Sequence, residues 1–143
     1  FAAAVQGKTY LCEENPMGIT RFSLEFGEDG AACFHYWNAQ GEQRLEFGMQ
    51  RNLYGKFPQR GYSDEYGNVH ELTDFRYDCA ASAGWIEPQK LQLQVQIIDR
   101  YFGGLTITFG FVDETLVGVR MVKAAEDFLD EYEGWMTGHL SGD

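Results

Sequence analysis

Twenty-two Asp and Glu, three His and three Cys are the side chains of this 143-residue chain with the most chemistry to offer, so their spacing decides what it could catalyse. Two carboxyl groups facing one another across a cleft would suit glycoside hydrolysis. Here, however, the acids fall as neighbours, Glu13-Glu14, Asp64-Glu65, Glu126-Asp127 and Asp130-Glu131, and adjacent side chains point apart. A solvated acidic face explains them better. His35, His70 and His139 show no i, i+4 or short-loop spacing that would hold two imidazoles on one metal. Cys12, Cys33 and Cys79 make no Cys-x-x-Cys, and because they are three, one thiol stays unpaired whatever the others do. Buried free thiols are the expectation. No Gly-x-Gly-x-x-Gly or Walker-type run occurs, and Gly103-Gly104 reads as a hairpin turn, so no nucleotide and no other cofactor is expected.

One segment departs from this dispersal. Between Arg51 and Asn68 the cations Arg51, Lys56 and Arg60 are interspersed with Tyr54, Phe57, Tyr62 and Tyr66 in an otherwise acidic chain. Such a mix suits an anionic or planar ligand, or a partner surface. Gly55, Pro58, Gly61 and Gly67 break any periodicity, and the whole stretch reads as the longest loop. The alternative is that its rings simply cover one end of the fold.

The elements that must position these residues alternate with period two. Leu91, Leu93, Val95 and Ile97 face one way and Gln92, Gln94 and Gln96 the other; Leu105, Ile107, Phe109 and Phe111 answer with Thr106 and Thr108. Further strands are expected at 7–12, 21–26, 31–37, 45–49, 69–77, 116–122 and 135–140. Ala124, Ala125, Phe128, Leu129 and Tyr132 recur at helical spacing against an acidic face, with Gly134 as the stop, which predicts one short C-terminal helix. The fold class is all-β, an antiparallel barrel or sandwich of about eight strands, with Phe22, Phe34, Phe47, Phe109 and Phe111 filling its interior.

Bulk properties narrow the partners. The length suits a single domain over 1–143. A formal net charge of -11 repels phosphate backbones and anionic headgroups, so nucleic acid and membrane are not expected. The opening Phe1-Ala2-Ala3-Ala4-Val5 is too short for a membrane span. That the chain starts at Phe suggests a fragment or a processed product.

Taken in order, Ala80-Ala81-Ser82-Ala83-Gly84-Trp85, the strand from Leu91 to Ile98 with Asp99, and Leu105 to Phe111 followed by Gly134 resemble the C-terminal accessory domain of bacterial serine hydrolases of the β-lactamase and penicillin-binding-protein class. The resemblance is best over the last 60 or so residues. It implies a lipocalin-like β-barrel without catalytic residues, whose partner is the N-terminal catalytic domain of the parent chain. The Ser-x-x-Lys pair of that class, in which one helical turn brings the amine to the hydroxyl, does not occur here. The acidic helix departs from the family pattern. The expected function is packing against that catalytic domain and shaping access to it; the alternative is a free-standing lipocalin-like binder of a small hydrophobic ligand, and a small hydrolase using scattered carboxylates stands third.

Overall fold

The alternation expected of the chain is realised as ten strands wound into a single antiparallel meander. The computed structural model describes residues 2–27, 29–38, 41–60, 76–98, 102–124 and 133–141, with 56–60, 76–78, 98, 102–103 and 124 described by backbone alone. A four-residue helix α1 (Ala2–Val5) precedes β1 (Thr9–Cys12), β2 (Arg21–Phe26), β3 (Ala31–Asn38), β4 (Gly41–Met49), β5 (Leu53–Arg60), β6 (Arg76–Glu87), β7 (Lys90–Ile98), β8 (Phe102–Asp113), β9 (Leu116–Ala124) and β10 (Gly134–Leu140). The ladder runs β4-β3-β2-β1-β10-β9-β8-β7-β6-β5, with β1 and β10 joined through Tyr10↔Leu140 and Cys12↔Gly138.

Closure occurs at the other side. The end of β4 pairs in parallel with β6 through Gly48↔Ser82 and Met49↔Ala83, so nine strands form a ring and β5 flanks it on the free edge of β6. A barrel rather than a sandwich results, because closure satisfies backbone groups that an open sheet would leave unpaired. The corner between β4 and β5 needs one left-handed residue, Gln50 with φ 59°, and Gln50 N–H donates to the Ala83 carbonyl at 2.7 Å. Above that corner no ladder joins β4 to β5, and the two strands border a seam in the wall.

Phe22, Phe34, Phe47, Phe109 and Phe111 are all buried, as expected. Phe22 packs against Tyr10, Phe34 and Phe109 at centroid separations of 5.5–5.7 Å, and Phe34 stacks on Tyr36 at 4.7 Å. Gly138 on β10 makes room for this cluster: a Cβ there would lie 3.2 Å from Phe22 and Tyr10 atoms and 3.0 Å from Val117. Both barrel ends near β1 are plugged. At one, α1 buries Val5, and Gln6 Oε1 accepts the Phe26 N–H at 2.7 Å. At the other, Asn15 accepts the Met17 and Ile19 N–H groups and donates to the Glu13 and Ile19 carbonyls, folding Met17 and Ile19 into the core.

Several expectations change. Residues 53–60 form β5 and not a loop; Pro58 is tolerated because β5 is an edge strand, and its register with β6 shifts between Lys56 and Arg60. Gly103 and Gly104 lie within β8, paired with Ile97 and Gln96, and do not form the turn. The described residues form ten strands where about eight were expected. The C-terminal helix falls on 125–132, outside the described residues; Ala124 closes β9, and the described helix is the N-terminal α1, whose four residues are too few for a periodic signal.

Candidate functional site

The inner surface of the barrel has two unlike walls. On β1, β2, β3 and β8 it carries Tyr10, Phe22, Phe34, Tyr36, Phe109 and Phe111, ring against ring. On β6 it carries Cys79, Ala81 and Ala83, continued by Val95 and Ile97 of β7 and Leu105 of β8. Strict alternation produces both, since every second residue of each strand faces inward. Among the described residues the buried polar side chains are Ser23 and Gln43, and none is a buried Lys or Arg.

The seam lies beside the small-residue wall. A cavity of about 160 Å³ lies there, lined by Arg44, Glu46, Leu53, Tyr54, Gly55 and Cys79. It therefore touches both solvent-facing side chains of β4 and β5 and a thiol of the small-residue wall. Tyr54 is 69% exposed at its mouth.

The sequence-predicted site residues do not all converge here. Arg51 is spent on the turn between β2 and β3, its Nη2 donating to the Asp29 carbonyl at 3.1 Å. Tyr54 lines the seam. Lys56, Phe57 and Arg60 belong to β5, described by backbone only, and Tyr62 and Tyr66 lie outside the described residues. Sequence reasoning missed Arg44, Glu46 and Cys79 as neighbours of Tyr54; they come from β4 and β6, and only barrel closure brings them together.

Several titratable groups are held by burial or in ion pairs. Burial pushes the Cys12 thiol up to about 12 and raises Cys33 as well, so neither is a thiolate near neutral pH. None of the three cysteines is in a disulfide. The Tyr10 phenol is pushed up to about 12, chiefly by burial and secondarily by Glu114 and Asp113, and its hydroxyl donates to the Glu114 carbonyl at 2.8 Å. His35 meets Glu42 at 2.5 Å and His139 meets Glu13 at 2.5 Å, on separate parts of the outer surface. Glu13 and Glu14 are exposed, as are Asp113 and Glu114 at the β8–β9 turn, while Asp64-Glu65, Glu126-Asp127, Asp130-Glu131 and His70 lie outside the described residues. No group of three His, Cys, Asp or Glu suited to a metal ion occurs among the described residues, and no helix there is long and apolar enough to cross a membrane.

An antiparallel meander closed on itself by one short parallel pairing, with one greasy interior, is a barrel of the lipocalin-like class. It is similar to the crystal structure of a fatty acid-binding protein from brain tissue of Drosophila melanogaster, determined without citrate inside: the TM-score is 0.58 over 96% of this chain and 99% of that one, at 8% identity. At that identity the likeness concerns the fold. No protein-family model matches the sequence, and no curated protein does.

Proposed function

We propose that the chain is a non-catalytic binding barrel that holds a small apolar molecule against the small-residue wall of β6 and admits it through the seam between β4 and β5. The observation that carries this reading is the seam cavity, which reaches from exposed Tyr54 to Cys79 of the inner wall. The similar barrel is titled a fatty acid-binding protein, which makes a fatty acid one natural probe. An uncharged ligand suits the described interior better, because a desolvated carboxylate without a partner is costly.

Titration of the protein with a neutral fluorescent dye, Nile red, and with a fluorescent fatty acid tests the reading. Saturable one-to-one binding is expected, tighter for the neutral probe. Gly55→Phe fills the seam where a Cβ meets nothing within 4 Å, so it should slow association at least fivefold while the thermal melt is kept. Failure of both probes to bind the folded protein saturably would end this proposal.

A second reading, docking on a catalytic domain of a parent chain, is favoured by exposed Ile86 and Val112, which stand at the barrel end where Gln89 bonds the Phe111 and Val112 carbonyls. A reading frame without a Ser-x-x-Lys domain removes it.

A further inference from the structure

The outer face of β6, β7 and β8 is unlike the rest of the surface. Across the ladders Ser82 stands beside Gln94 and Gln94 beside Thr106, while Ala80 and Gly104 flank Gln96. With Asn52 from the β4–β5 corner these residues line a groove of about 350 Å³, whose floor is the backbone at Val95 and Leu105. Its side chains are amides, hydroxyls and small groups. No described lining residue is charged, in a chain whose net charge is -11.

A second observation points the same way. Gly84, Gly104, Gly110 and Gly118 all face outward on β6, β8 and β9, none with positive φ, and a Cβ at each would meet either nothing within 4 Å or a backbone oxygen at 3.5–3.8 Å. The sheet does not require glycine at these positions, and glycine weakens a strand. Gly84 and Gly110 lie beside the register shifts at Trp85/Glu87 and Phe111/Asp113, but Gly104 stands in a regular stretch of ladder within the groove, where glycine suits close approach by a ligand. Tyr54, 69% exposed, is the cross-strand neighbour of Ala80 in the groove's lining.

We infer that this groove is a binding site for an uncharged saccharide, separate from the interior. Amide and hydroxyl groups match the alternating donors and acceptors of sugar hydroxyls. The bare backbone of Gly104 and Ala80 lets a ring lie close, and the Tyr54 face offers the apolar contact that a sugar's C–H face seeks. A charged ligand would find no charged partner among the described lining residues.

The test is titration of the intact chain with soluble neutral cello-, malto-, xylo- and chito-oligosaccharides, followed by calorimetry and by amide chemical shifts. At least one series is expected to bind, with shifts at Gln94, Gln96 and Thr106. Gly104→Val, which fills the trough with a strand-favouring side chain, and Tyr54→Ala should each weaken that binding at least fivefold without lowering the melting temperature. Ala83→Val on the inner wall should leave it unchanged. No binding by any series, or binding that both variants retain, overturns the inference.

Discussion

The two inner walls of the barrel solve the same burial problem in opposite ways. The β1–β2–β3 wall, joined by β8, fills space with rings in stacked and edge-on contacts. The β6 wall offers a thiol and two methyl groups, Cys79, Ala81 and Ala83, and borders the seam. Rings locked against one another add geometric preference to the area they bury, which makes the first wall the source of rigidity. The second wall brings small side chains to the place where the barrel's hydrogen bonding is interrupted. Stability and access are thereby assigned to different strands.

Truncation on the aromatic wall should break this division most severely. Phe22→Ala removes a fully buried ring that touches Tyr10, Phe34 and Phe109, and a loss of about 3–5 kcal/mol is expected in urea unfolding. Enlargement on the other wall should cost less: Ala81→Leu overpacks a buried site by about 1–3 kcal/mol on the same scale. Should the two effects be equal, the contrast between the walls would fail.

A smaller effect separates the aromatic wall by pH. The Tyr10 phenol ionises near 10 in the unfolded chain and is pushed up to about 12 in the fold, chiefly by burial. Between those values the unfolded chain binds fewer protons, so the stabilisation is whole below pH 10, falls through the window and is gone above 12. Tyr10→Phe should flatten that part of the stability profile, as read from melts at stepped pH.

Much of this was legible in the chain. Alternation located β2, β3, β7, β8 and β9, and the five inward Phe residues, because period two binds burial to sequence position. β5 was not legible: Gly55 and Pro58 erase the pattern, and only an edge position and a register shift allow a strand there. The Ala2–Val5 helix is too short to show a period, yet it places Val5 in the core. The seam was invisible for a different reason. Gly48 and Ser82 are far apart in sequence, and their parallel pairing depends on closure of the whole ring. Of the cation and aromatic cluster between Arg51 and Tyr66, only Tyr54 is described at the cavity, because Arg51 turns away to the Asp29 carbonyl.

The flanking position of β5 bears on how copies of the molecule behave when crowded. Among the described strands, closure leaves β4 and β5, which border the seam, as the places where another chain could extend the sheet. Pro58 lacks the N–H needed for one rung there, and the displaced register beside it spoils the spacing of the next. Fibril-like stacking is thus resisted on the β5 side of the seam, by a proline that cannot donate to a growing ladder.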